Sequence, residues 1–573
     1  MTISFVIVRW AAAMAAALTL ANCSGGGGGG GSGGSSQPGP PAPPPVATPT
    51  SAEASRFLTQ ATFGPTEGSI NGLKSTGYAA WINEQLAMAP TGGRLAHVDA
   101  RLAELRAANP NANLSANQFY ESWWKNAANA PDQLRERTAF ALSQIFVISF
   151  ADPAVDVRGA ASYYDMLAAN AFSNYRTLLQ EVTLHPMMGV YLSYLANQKE
   201  DPATGRKPDE NYAREVLQLM SIGLHQLEAD GRVRTNAAGA PLPSYTPEDV
   251  SGLAKVFTGL SWWSPTPTAN TFLGRNRDAS APVRPMIAYA AYHSATPKSF
   301  LGVTTNADAE TDLRVALDAI ANHPNTPPFM SRQLIQRLVT SNPSSAYVER
   351  VAAVWADNGA GVRGDLRAVV RAILLDPEAR DAATASAASY GKLREPVIRA
   401  TNWMRAFGAQ STTGSWLIPS TSANTSLGQS PLAAPSVFNF WRPGYSPPNT
   451  RLGGQSLVAP EMQVINEVSV AGYLNTIQVA IDRGMGNGFD VKASYAAEIP
   501  LAGDPAALVQ RMDLLLLNDR MSPALRARLV AAVSSVAVPA AGASQASIDT
   551  ANLNRVKLAV FLTMASPEYL VQR

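Results

Sequence analysis

The stretch "PDENYAREVLQLMSIGLHQL", residues 208–227, packs Asp209, Glu210, Asn211, Tyr212, Arg214 and Glu215 into seven positions, with His185 and Pro186 upstream. These side chains are of the types that move protons. Cleaving a glycosidic bond takes two carboxylates about 5 Å apart for retention or about 6.5–9.5 Å apart for inversion. Glu210 and Glu215, or either with Glu181 or Asp249, could form such a pair. A lyase needs a Tyr or His base, with Asn and Arg or Glu to neutralise a uronate. His185, Glu210, Asn211, Tyr212, Arg214 and Glu215 are therefore the candidate catalytic residues.

Spacing offers a plainer account. On a helix, Glu210, Asn211, Arg214, Glu215, Gln218 and Ser221 fall within about 140° of one face, with Tyr212, Val216, Leu219 and Met220 opposite. Asp209 can cap this helix, and Glu210 with Arg214 forms an i,i+4 pair worth a few tenths of a kcal/mol. Tyr212, on the apolar side, suits a buried structural phenol as well as a base.

Helix signals dominate from residue 52 onward. In "YTPEDVSGLAKVFTGL", Thr246 can cap, Pro247 takes the first helical position, Glu248 and Asp249 favour the positive dipole end, and Gly259 can stop the helix. "DQLRERTAFALSQIFVISF" turns apolar nearly all round after Arg137, which places it deep in a core. "TDLRVALDAIANHP", "PPFMSRQLIQRLVT", "SAYVERVAAVWADNG", "GDLRAVVRAILLDP" and "GKLREPVIRATNWMRAFG" follow, each with helical apolar spacing and a Pro or Gly near one end. Alternation is scarce, "RPMIAYAAYH" being the best strand. The expected fold is all-α: one large multi-helix domain over residues 52–573, with long irregular loops and little strand. Two irregular stretches, 261–306 with Trp262, Trp263, Tyr289 and Tyr292, and 410–454 with Trp416 and Trp441, are natural places for a ligand cleft or for aromatic anchors under ordered loops.

Composition narrows the function. A net charge of +2, with 15% charged residues and no basic run, argues against nucleic acid as a partner. No phosphate-binding loop, H-E-x-x-H, paired C-x-x-C, EF-hand loop or dinucleotide fingerprint occurs, so no cofactor is expected. The five histidines, His97, His185, His225, His293 and His323, are too dispersed for sequence to assign a metal. "GGSGG" at residues 30–34 matches a nucleophile elbow only in letters, since flexible glycine replaces its strand and helix.

The amino-terminal residues point to export. Arg9 precedes an apolar run over residues 10–21, about half the ~20 residues that span a bilayer, and Cys23 follows. This resembles a bacterial lipoprotein leader (1–22), with Leu20 and Ala21 in the lipobox, Asn22 in place of the usual small residue, and Cys23 as the lipidated terminus. Cleavage by an ordinary signal peptidase is the alternative. The Gly/Ser/Pro-rich residues 23–51 cannot bury apolar surface and read as a disordered tether. Cys23 is the chain's one cysteine, so no disulfide framework is available and stability must come from a large core. Ser24 favours the outer membrane.

Several segments occur in this order: "RFLTQATFGPT", "RERTAFALSQIFVIS", "NYRTLLQEVTLHPMMGVYLS", "PDENYAREVLQLMSIGL", "YTPEDVSGLAKVFTGL", "HPNTPPFMSRQLIQRLV", "DLRAVVRAILLDPEAR" and "ASPEYL". Together they resemble the bacterial domain-of-unknown-function family 1800 across nearly everything from residue 52. The E-N-Y-A-R-E core at 210–215 and His185-Pro186 correspond to that family's hallmark. "FALSQIF" lacks the Trp and His that many members carry there. The resemblance implies a helical, exported protein, whose fixed polar residues suggest a buried hub with Arg214 between carboxylates.

Two functions follow. One is an exported envelope lipoprotein, held to the membrane by its lipid, that binds a polysaccharide or a co-exported partner protein without chemistry. The other is a periplasmic or surface hydrolase or lyase using His185 and residues 210–215.

Overall fold

The computed structural model describes residues 48–540 and 542–573. The expected export signal, Cys23 and nearly all of the tether lie outside the described residues. Helix accounts for 54% of the chain and strand for 6%, so helix packing carries the core, as the apolar periodicity predicts. Local chemistry starts many of these helices. Thr50, Ser115 and Thr246 each close a reciprocal capping box, with Glu53, Gln118 and Asp249, and Pro247 occupies the first turn after Thr246.

The helix Gln133–Ser143 is buried along all 11 of its residues, charged ones included. Arg94 pairs with Glu136 from the neighbouring helix Arg94–Ala108, so this charge enters the core already partnered. Around it pack Ala116–Asn129, Val157–Ala169 and Thr326–Leu338.

The E-N-Y-A-R-E segment forms the short helix Asn211–Gln218, with Tyr212, Ala213, Val216 and Leu217 buried on one side. It ends sooner than the periodicity implies. The Ile222 and Gly223 amides both close onto the Leu217 carbonyl, which turns Ser221 inward to donate to the Val216 carbonyl at 2.5 Å. Gly223 has φ +73, and a Cβ there would come within 2.6 Å of the Phe329 ring. Glycine is required on both counts.

Residues 224–244 then form an arm of three short extended segments. Its bridges are His225 with Pro243, Leu227 with Val233 and Thr235 with Pro241. The chain returns through the helix Pro247–Val256, whose Gly252 lets the hairpin Lys298–Phe300/Val303–Thr305 lie directly against it: a Cβ would meet the Ser299 carbonyl at 1.9 Å. Of "RPMIAYAAYH", Ile287–Ala288 alone is strand, paired with Leu260–Ser261.

Candidate functional site

The residues singled out by type divide into an outer and an inner set. Outside, Glu210 and Arg214 pair at 3.2 Å with 40% and 48% of their side chains exposed. Glu210 also accepts from the Ser251 hydroxyl at 2.6 Å. Asn211 donates to Ser193, Ser193 donates to Asp209, and Asp209 accepts the Asn211 amide, so the helix start is satisfied by its own neighbourhood. The expected buried hub with Arg214 between carboxylates is therefore corrected: Arg214 has a single acidic partner and faces solvent. The Asn211 side-chain amide bonds the Ser193 hydroxyl at 3.3 Å.

Inside, Tyr212 is fully buried, stacked on Tyr194 with centroids 4.1 Å apart and edge-on to Phe257. Thr183 donates to the Leu179 carbonyl, which leaves the Tyr212 hydroxyl as donor to Thr183 Oγ1 at 2.7 Å. Burial pushes this phenol up, away from use as a base. His185 is buried as a helix cap: its Nδ1 accepts the Met187 amide at the start of Pro186–Tyr191, and burial lowers its pKa to about 3. Among the described residues no hydrogen bond or ion pair joins His185 to Glu210, Asn211, Arg214 or Glu215. Glu215 is buried with Oε2 unpartnered, and desolvation raises its pKa.

One helical turn beyond Glu215, Gln218 opens onto a cleft of about 390 Å³. Its walls come from far apart in sequence: Gln144 and Ile145; Gln218 to Val233 across the arm; Phe329, Arg332 and Arg337 on Thr326–Leu338; and Phe438 and Arg442 from the second irregular stretch. Gly223 lets the arm close against Phe329 to form one wall. Among the described residues no acidic one lines the cleft. Arg332 opens into it while the surrounding protein desolvates its guanidinium and lowers its pKa, and Arg442 lies over the Phe438 ring at 4.5 Å. Among the described residues neither arginine has a carboxylate partner.

The floor holds polar atoms without partners. Gln144 Nε2 donates to Glu395 and Gln336 Nε2 donates to the Ser341 and Pro443 carbonyls, so both amides are oriented and both Oε1 atoms are left free. Arg337 Nη1 and Nη2 bond Gln333 and the Gln144 carbonyl, leaving Nε unpartnered.

Beneath the floor lies the buried hub that was expected elsewhere. Lys392 Nζ reaches Glu461 at 3.0 Å and Glu395 at 3.6 Å, and donates to the Arg337 carbonyl, as does Arg137. Burial lowers Arg337 to about 10 and raises Glu461. Arg137, Arg337 and Lys392 outnumber Glu395 and Glu461, so the cleft stands on excess positive charge.

The aromatic loops divide. Trp262, Tyr289, Trp416 and Trp441 are buried anchors, and the first irregular stretch contributes nothing to the cleft, whereas Phe438 and Arg442 of the second form its wall. One clue to the cleft was present in "PPFMSRQLIQRL". Phe329 and Arg332, at i and i+3, are the open positions of a helix buried at all its others. Among the described residues no three His, Cys, Asp or Glu side chains group as metal ligands.

A model of a family described as "Protein of unknown function (DUF1800)" matches residues 56–571. No curated protein and no solved structure matches the chain.

Proposed function

Since this chain belongs to the DUF1800 family of proteins of unknown function over nearly its whole length, we propose from the cleft's own chemistry that it binds an anionic, hydroxyl-bearing polymer, a uronate-containing polysaccharide being the best fit. The observation that carries this reading is a cleft with two exposed arginines that have no carboxylate partner, two half-buried phenylalanines and, among the described residues, no acid on its lining. Planar guanidiniums match carboxylates bidentately, and aromatic rings pack against sugars. The absence of a carboxylate on the lining weighs against glycoside hydrolysis within this cleft. The outer face, with Glu210, Asn211 and Arg214, fits a second contact for the same polymer better than a reaction centre, since His185 is committed to capping a helix.

The leader-like residues 1–22, Cys23 and the tether support placement in the cell envelope through an N-terminal lipid. Among the described residues no helix is long and apolar enough to cross a membrane. Cys23→Ala should move the protein from the membrane fraction to the soluble periplasmic fraction; retention after a high-salt wash rules out lipid anchoring.

Titration calorimetry with uronate oligosaccharides and their neutral counterparts tests the cleft. Binding should be saturable for the uronates, weaken with salt, and drop roughly a hundredfold in Arg332→Ala/Arg442→Ala. Equal affinity for neutral sugars, or full binding by the double variant, overturns the assignment.

A further inference from the structure

A second cavity of about 510 Å³ lies where the carboxy-terminal segment folds back beside residues 517–522. Arg394, Arg520 and Arg573 line it with Asn518, Ser522 and Glu568. Arg394 is 2% exposed. Its Nη1 donates to the Leu516 carbonyl at 2.8 Å, its guanidinium lies 4.5 Å over the Tyr569 ring, and its Nε has no partner. Arg520 Nη2 bonds the Ala385 carbonyl and Ser386 Oγ, both neutral. Among the described residues none of the three arginines forms an ion pair.

Glu568, the one acid on this lining among the described residues, has both oxygens taken by the Ser522 amide and hydroxyl, so it is committed to fixing the start of the helix Pro523–Ser535. Arg56 lies close enough to add a fourth positive charge to the field at Arg520. Arginine cannot relieve such crowding by losing its proton. Arg56 and Arg573 both act on Arg520 with like charge, and a bound anion reverses the sign of that interaction. Even with a chain-terminal carboxylate on Arg573 counted beside Glu568, the guanidiniums leave the wall positive.

We propose that this cavity is a binding site for a phosphate-class oxyanion, carried by free phosphate or by a phosphate ester, and separate from the polymer cleft. Guanidiniums approaching from the segment before the helix Pro396–Ala406 at Arg394, the loop at Arg520 and the terminal segment at Arg573 suit an anion with several oxygens rather than a single planar carboxylate. The volume leaves room for an esterified organic group.

The test uses the full chain carrying Arg332→Ala/Arg442→Ala, which removes the two exposed arginines of the polymer cleft. Inorganic phosphate is titrated at constant ionic strength and followed by calorimetry. Saturable binding is expected, weakened roughly tenfold or more by Arg520→Gln and likewise by Arg573→Gln, each removing a charge-assisted contact. A parallel arm titrates glycerol phosphate and a short-chain phosphatidic acid: tighter binding than phosphate assigns the site to an ester, weaker binding to the free ion. Absence of saturable binding for all three probes overturns the proposal. So does unchanged affinity in both arginine variants, provided their circular dichroism matches the parent.

Discussion

The two ends of the helix Asn211–Gln218 teach different lessons about polar residues. At its start, Asp209, Glu210, Asn211 and Arg214 are bonded to Ser193, to Ser251 and to one another, and face water. At its end, Gln218 borders a cleft whose floor keeps amide oxygens and a guanidinium nitrogen without partners, above a hub with surplus positive charge. A dense set of reactive residue types is therefore no guide by itself. Groups close in sequence can satisfy each other, and side chains left open on a cleft after folding, as Arg332 and Arg442 are, are the ones available to a ligand.

The sharpest contrast is in stability. Lys392→Met should destabilise the protein by about 3–5 kcal/mol, because Glu461 stays buried without its cation. Denaturant unfolding measures this. A loss under 1 kcal/mol would mean that the hub under the cleft is no more constrained than the helix start.

The His185 prediction concerns pH. Its folded pKa of about 3 lies below the unfolded value of 6.5, so the unfolded chain binds the extra proton between these values. Stability from this group is complete above about pH 6.5 and lost as the pH falls toward 3, by on the order of 3–5 kcal/mol across the window. His185→Asn keeps a capping acceptor without a titrating ring and should flatten that part of the profile. An unchanged slope would place His185 in contact with solvent or with an acid.

Removing Arg332 and Arg442 together should cost uronate binding about 3 kcal/mol, roughly a hundredfold, while the melting temperature holds. The same assay on Glu210→Gln/Arg214→Ala should give no more than a few-fold loss. If the order reverses, the outer face is the site and the cleft is incidental.

Tyr212→Phe should cost about 1 kcal/mol, the value of one buried hydrogen bond, and leave binding intact. Arg214→Ala should cost about 0–1 kcal/mol, as exposed pairs do. A large stability loss from Arg214→Ala would restore the buried-hub view of residues 210–215.

Helix identity was legible in the sequence wherever the cause is local. Thr246, Pro247 and Asp249 start their helix because a hydroxyl, a missing amide hydrogen and a carboxylate act within one turn of the backbone. The buried run after Arg137 follows from the absence of a polar face. The arm at 224–244 and the hairpin at 298–305 were not legible, since their pairing depends on turns and packing rather than on alternation.

Sequence alone also determined that the chain is a helical member of its family, with no cysteine pairing to staple its core. Only the tertiary structure decided which polar residues remain available. Arg332 and Arg442 are separated by more than a hundred positions and meet across one cleft, while Trp416 and Trp441, equally suited by type, are consumed as anchors. Availability is what remains after every nearer partner has been counted, and those partners are set by packing between distant segments that local spacing does not encode.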